Sequence, residues 1–321
     1  MFERILVPLD GSAFAEAALA PACDLAGRFG SKLLLTTAVA PLGLPLVRGG
    51  EAPDPEDRAE DLEEAAAYLQ EQVEKLQKQG FNAGLTLYLA EAGAALAGTA
   101  ELSHADLIVM ATRMGWTLPA EGPRHTSVTL DLLARSRVPI LSCHLIPDAT
   151  TVSQTAEGAE RSTAPQLAGP DLPIVVPLDG STFAEQALPT ARALAEAFGA
   201  YLVLVRAVPE GTQDSEPGAH GQREARDYLA HLREQLEAQG VSITAVAEPG
   251  VAINVIEHAW REQGAGLLVM ASHGQGGHHV GSSDRAGVTL PKSLVGSVAA
   301  EILEELEVPT LVIQPELSAE P

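Results

Sequence analysis

The chain is written twice. "ILVPLDGSAFAEAALAPACDLAGRFGSKLLL" begins at Ile5, and "IVVPLDGSTFAEQALPTARALAEAFGAYLVL" begins at Ile174. Their shared core, P-L-D-G-S-x-F-A-E-x-A-L, is too long to arise by chance. Further on, "HADLIVMATR" (His104 to Arg113) is answered by "GAGLLVMASH" (Gly264 to His273), and "SVTLDLLARSRVPIL" (Ser127 to Leu141) by "SVAAEILEELEVPTL" (Ser297 to Leu311). A period of about half the 321 residues means a duplicated domain and not a solenoid of short repeats. The fold must therefore close once within residues 1–148 and again within 171–316. Residues 149–170, "ATTVSQTAEGAERSTAPQLAGP", are rich in Ser, Thr, Ala, Gly and Pro without an apolar period, and read as a linker.

Each copy gives the same coarse pattern. Continuous apolar runs with β-branched residues, at 5–8, 32–39, 107–110 and 139–142, read as strands covered on both faces. Helical periods lie between them. Leu62, Leu69, Val73 and Leu76 mark one helix face in the first copy, and Ala225, Leu229, Leu232 and Leu236 mark its counterpart in the second. Thr182-x-x-Glu185 reads as a capping box opening the second copy's first helix. Strands alternating with helices, and buried on both sides, predict a doubly wound α/β fold with five parallel strands per copy.

Composition narrows the partners. A formal charge of −23 argues against a broad nucleic-acid or anionic-membrane surface, which would need clustered Lys and Arg. A small anion can still be held where backbone N–H groups reverse the local field. No apolar segment is long enough for a signal peptide or a membrane span, and two cysteines, Cys23 and Cys143, make neither a disulfide framework nor a zinc cage. The expectation is a cytoplasmic protein with both thiols acting as small buried hydrophobes.

In an open α/β sheet, ligands sit beyond the carboxyl ends of the strands where the strand order reverses. After the first strand of each copy come Asp10-Gly11-Ser12 and Asp179-Gly180-Ser181; after the fourth come Ala111-Thr112-Arg113-Met114 and Ala271-Ser272-His273-Gly274. The second copy's last helix opens at Gly296-Ser297-Val298. The first N–H groups of a helix have no intrahelical partner and carry the positive dipole end, so this start can seat a phosphate. Gly296 lets the backbone approach a ligand, Ser297 adds a hydroxyl, Gly274 adds amides, and Lys292 lies one turn upstream.

The opening I-L-V-P-L-D-G-S, the L-I-V-M-A-x-H/R turn and the closing L-V-G-S-V…V-P-x-L-V-I resemble the universal stress protein family, over nearly everything except the linker and variable loops. The resemblance implies two five-stranded parallel sheets of order 3-2-1-4-5, Rossmann-like in the manner of adenine-nucleotide alpha-hydrolase-like folds. It also implies that the copies pack as an intramolecular pseudo-twofold pair through their last strands, with a homodimer of chains as a further expectation. ATP-binding members carry G-x2-G-x9-G-(S/T) after strand four and an aspartate after strand one. In the second copy Ala271, Ser272, His273 and Gly274 match G-x2-G with Ala for the first Gly, and Gly296 and Ser297 match the end. Between Gly274 and Gly296 lie 21 residues, an insertion of about twelve. By similarity Asp179 faces the adenosine end, with Pro177 and Leu178 before it also in the ATP site, the backbone of Ala207 and Val208 meets the base, and Gly274, Gly296, Ser297 and Val298 receive the triphosphate, with Mg²⁺ as its companion ion.

The first copy departs further: Met114 stands where Gly274 does, and Thr126 where Gly296 does. A Met side chain fills the space a phosphate needs, and a β-branched Thr tolerates close backbone approach poorly. The implied function is a stress-response sensor or regulator that binds ATP mainly in its second copy. The alternative is an interaction module whose nucleotide site is vestigial. His273, His278 and His279 invite a metal reading, but adjacent histidines on a Gly-rich loop with no Cys or carboxylate pattern read better as loop or phosphate-facing side chains. No nucleophile–base pair and no P-loop stand out, so any ATP turnover is expected to be slow.

Overall fold

The computed structural model describes residues 1–39, 55–89, 92–112, 128–144, 166–209, 217–274 and 295–314. Contacts between residues divide the chain into two units. One holds Phe2–Thr117 and Cys143–Gln166; the other holds Met1, Leu118–Ser142 and Leu167–Pro321.

The first of these units runs β1 (Arg4–Pro8), α1 (Ala13–Glu16), α2 (Leu19–Phe29), β2 (Lys32–Val39), α3 (Pro55–Lys78), β3 (Ala83–Leu89), α4 (Ala92–Leu102) and β4 (Leu107–Thr112). Its strands are parallel in the order β3-β2-β1-β4. Ile5, Leu6 and Val7 of β1, with Leu107, Ile108 and Val109 of β4, are fully enclosed, as unbroken apolar runs in a doubly covered sheet must be. Leu69, Val73 and Leu76 of α3 are buried on the face that their spacing predicts.

The second unit holds α5 (Val128–Arg135) and the first three residues of β5 (Ile140–His144). It continues with β6 (Ile174–Pro177), α6 (Thr182–Glu185), α7 (Leu188–Phe198), β7 (Leu202–Val208), α8 (Pro217–Glu237), β8 (Ile243–Pro249), α9 (Ala252–Gln263), β9 (Leu267–Ala271), α10 (Ser297–Glu305) and β10 (Thr310–Ile313). Its strand order is β5-β10-β9-β6-β7-β8, parallel except for β5. Counted within the second copy, β8-β7-β6-β9-β10 is 3-2-1-4-5, so the reversal point falls between β6 and β9. Ala225, Leu229, Leu232 and Leu236 of α8 are buried together on its inner face.

One expectation is met here and one is shifted. Each copy supplies five strands, and the last strands meet as the resemblance implies: β5 of the first copy pairs antiparallel with β10, with Leu141 opposite Leu311 and Thr310 opposite Ser142. Leu141 and Leu311 are the same position of the repeat, so the pairing is locally twofold about them. An edge strand with unpaired N–H and C=O groups is satisfied by its own duplicate. The capping box at Thr182 is displaced by one residue. The N-cap is Ser181, whose backbone is extended and whose hydroxyl accepts the Ala184 N–H at 3.1 Å. Glu185 turns away to accept the Tyr228 hydroxyl at 2.9 Å.

Cys143 is buried, and burial pushes its thiol up from 9.0 to about 12; Cys23 is half-buried and moves to about 11. A thiol reagent at pH 8 should therefore find both groups readily only after unfolding in urea. The folded state keeps the Cys143 proton that the unfolded chain releases near pH 9. That contribution to stability is present below about pH 9 and is lost as pH climbs toward 12. Urea midpoints measured at pH 8 and pH 10.5 check the sign. No helix among the described residues is long and apolar enough to cross a membrane.

Candidate functional site

Strand β6 is buried throughout and delivers its chain to the reversal point. Leu178 continues its pairing, donating N–H to the Val205 carbonyl at 2.8 Å. The next three residues form a tight turn. Asp179 Oδ1 accepts the Ser181 N–H at 2.9 Å and the Ser181 hydroxyl at 2.6 Å, while Gly180 takes φ +84°, which a side chain would resist. Ser181 in turn caps α6. The first copy repeats the device: Asp10 Oδ1 accepts the Ser12 N–H at 2.9 Å and its hydroxyl at 2.5 Å, and Ser12 caps α1.

With Asp179 Oδ1 occupied, Oδ2 lies against Gly274. A Cβ built on Gly274 would come 2.0 Å from that oxygen. The strand-one and strand-four turns of this copy thus touch through a carboxylate and a bare Cα. The third piece is held as tightly. Gly296 donates its N–H to the Ser272 carbonyl at 2.6 Å, and a Cβ there would come 2.8 Å from the same oxygen. Gly296 has φ −65°, so its bareness answers a close approach and not a left-handed backbone.

Gly296 is the N-cap of α10 and offers no side-chain cap. The first helical bond runs from the Ala300 N–H to the Gly296 carbonyl at 3.0 Å, so the N–H groups of Ser297, Val298 and Ala299 precede it. Ser297 is exposed and Val298 half-buried. The Gly296 amide, expected among the phosphate donors, is already committed to Ser272.

Asp179, His273, Gly274 and Gly296 are brought together, with Ser297 and Val298 following in the helix. Ala271 is buried at the end of β9, and Pro177 closes β6. Ala207 and Val208 end β7, paired with Glu248 and Pro249 of β8; the Val208 carbonyl already accepts the Gly250 N–H at 2.9 Å. Beside them an open cleft of about 770 Å³ is lined by Pro209, Val251, Asn254 and the His258–Glu248 pair, 3.2 Å apart. Its walls do not include Asp179, Gly274 or Gly296. Lys292, Met114, Thr126, His278 and His279 lie outside the described residues. Among the described residues no three His, Cys, Asp or Glu side chains converge as metal ligands would.

Sequence reasoning missed Arg206. Its guanidinium lies flat against Gly180, 3.1 Å from where a Cβ would stand, and 4.9 Å over the Tyr228 ring. Burial, and then the hydrogen bond to Glu185, push the Tyr228 hydroxyl well up, while Arg206 pulls it the other way. The first copy has the matching Tyr68–Glu16 bond at 2.8 Å but carries Thr37 where Arg206 stands. A lone cation in the run L-V-L-V-R-A-V was the available signal.

The model of the universal stress protein family matches residues 1–144 and 172–314. Among solved structures, a universal stress protein from Archaeoglobus fulgidus DSM 4304 is similar at 18% identity and TM-score 0.65, over 97% of this chain and 98% of that one. A putative universal stress protein from Pseudomonas aeruginosa UCBPP-PA14 is similar at 18% identity and TM-score 0.59, over 98% and 94%. At that identity the likeness is one of fold. No curated protein sequence matches.

Proposed function

Because the chain belongs to the universal stress protein family, with its domain present twice, we propose that it binds ATP in its second copy and serves as a stress-response regulator. The two family domains are 1–148 and 171–316, joined by 149–170. The observation that carries this reading is the convergence of Asp179, Gly274 and the uncapped start of α10 on one point at the sheet's reversal.

The residues fit the ligand. Ser297 and Val298 present first-turn N–H groups with the positive end of the helix dipole, and Ser297 adds an exposed hydroxyl, which together suit phosphate oxygens. Asp179 faces the adenosine end, and Ala207 with Val208 bounds the base. Mg²⁺ would arrive on the phosphates, since Asp179 Oδ1 already accepts two hydrogen bonds from Ser181. A chain of formal charge −23 holds a polyanion here by local amides, not by its global field.

Calorimetric titration with ATP and Mg²⁺ tests the reading. The expected outcome is saturable binding, together with a melting temperature that rises with ATP. At a hundred times Kd, mass action supplies about 2.7 kcal/mol. No heat and no thermal shift at millimolar ATP would overturn it and leave an interaction module of the same fold.

A further inference from the structure

Four groups of the second unit form a line of hydrogen bonds that the ATP reading does not use. Gln314, just beyond β10, donates its amide N–H to the Leu133 carbonyl at 2.8 Å. Its Oε1 accepts the Ser272 hydroxyl at 2.8 Å. The Ser272 oxygen also lies 2.9 Å from His273 Nδ1. Leu133 belongs to the last turn of α5, in the first copy, where helix carbonyls lack intrahelical partners. Ser272 is fully enclosed, its N–H bonded to the Ile313 carbonyl at 2.8 Å and its carbonyl to Gly296.

The proton positions along this line follow from valence. A backbone carbonyl can only accept, so the NH₂ of Gln314 must face Leu133 and its oxygen must face Ser272. Gln314 Oε1 can only accept, so the single Ser272 proton points at it. The Ser272 oxygen then has only lone pairs left for His273, and Nδ1 must donate. We propose that the carbonyl of Leu133 in the first copy, relayed by Gln314 and Ser272, fixes neutral His273 with its proton on Nδ1. Gln314 is thus a positioning residue that acts through Ser272. Whatever group meets His273 Nε2 in the neutral ring must then be a hydrogen-bond donor, such as a hydroxyl or an amino group, and not a bare phosphate oxygen. The two copies share one hydrogen-bonded unit at this turn.

The inference concerns the ligand-free protein and stands apart from the ATP reading. The test is ¹⁵N NMR of the imidazole nitrogens at alkaline pH, with the His273 signals identified by their absence from His273→Gln. The expected result is a protonated Nδ1 and an unprotonated Nε2, opposite to the tautomer that free histidine prefers. Gln314→Met keeps the length but presents no strong acceptor, which releases the Ser272 proton toward His273 and moves the ring proton to Nε2. Nε2 protonation in the unaltered chain overturns the inference, as does a tautomer indifferent to Gln314→Met. Should Gln314→Met fail to fold, Ser272→Ala, which removes the relay, must release His273 in the same way. Loss of ATP binding in the unaltered chain would sink the functional proposal and leave the tautomer result to decide this one.

Discussion

Gly274→Ala should abolish ATP binding and lower stability by about 2 kcal/mol, the scale of an overpacked contact. The added carbon would lie 2.0 Å from Asp179 Oδ2 and 2.9 Å from its Cγ. Asp179 cannot swing away cheaply, because its other oxygen accepts both the N–H and the hydroxyl of Ser181. Releasing it would undo the turn whose serine caps α6. Gly274 is not in the left-handed region, so the whole cost is contact and none is backbone conformation. A second substitution isolates that contact. In an Asp179→Ala background the carboxylate is gone, and Gly274→Ala should cost less than about 0.5 kcal/mol, the ordinary range for a substitution that meets no packed or strained group. Urea unfolding of the four proteins measures the coupling, and ATP titration follows the site. Additive costs would mean that the Asp179–Gly274 contact does not hold the two turns together.

Much of this arrangement was legible in the sequence because repetition supplied its own control. The duplicated P-L-D-G-S fixed where the first strand ends, and the alternation of apolar runs with helical periods fixed a parallel sheet, as the enclosed cores of β1, β4, β6 and β9 require. Strand order did not follow from periodicity. A run such as Leu267–Ala271, buried at every position, reads the same wherever it sits in a covered sheet. The order came with the family resemblance. The pairing of β5 with β10 was foreseeable only in kind, since Leu141 and Leu311 reveal nothing of register until they stand opposite each other. At the site, Asp179, Gly274 and Gly296 were found from their motif, but for an incomplete reason. Sequence reasoning treated both glycines as room for a phosphate. In the structure each also has a protein atom against it, a carboxylate at 274 and a carbonyl at 296. Arg206 and Gln314 went unnoticed for a plainer cause. Each acts on residues 26 and 42 positions away, Gly180 and Ser272, and no local pattern encodes such a contact.

Gly296→Ala decides which of those reasons governs the start of α10. At φ −65° and ψ 151° the backbone suits alanine, and a glycine replaced without strain ordinarily gains about 0.4–1 kcal/mol through the unfolded state. Were the glycine there for the ligand alone, the substitution would keep or raise the melting temperature while losing ATP. The structure predicts otherwise. The new carbon would stand 2.8 Å from the Ser272 carbonyl oxygen, a backbone atom whose residue is tied by its N–H to Ile313 and by its hydroxyl to Gln314. Neither side can yield without breaking the Gly296 N–H bond of 2.6 Å, so the helix start must move. The expected outcome is a loss of about 1–3 kcal/mol in stability and at least tenfold in ATP affinity. Gly296→Thr, which imports the first copy's residue, should be more severe because its branched carbon meets the same carbonyl. A destabilised Gly296→Ala that still bound ATP with full affinity, measured well below its melting temperature, would remove the start of α10 from the phosphate seat. In that event the glycine would serve the turn, and the ligand would have to be sought at the cleft beside Val208, where β7 and β8 end.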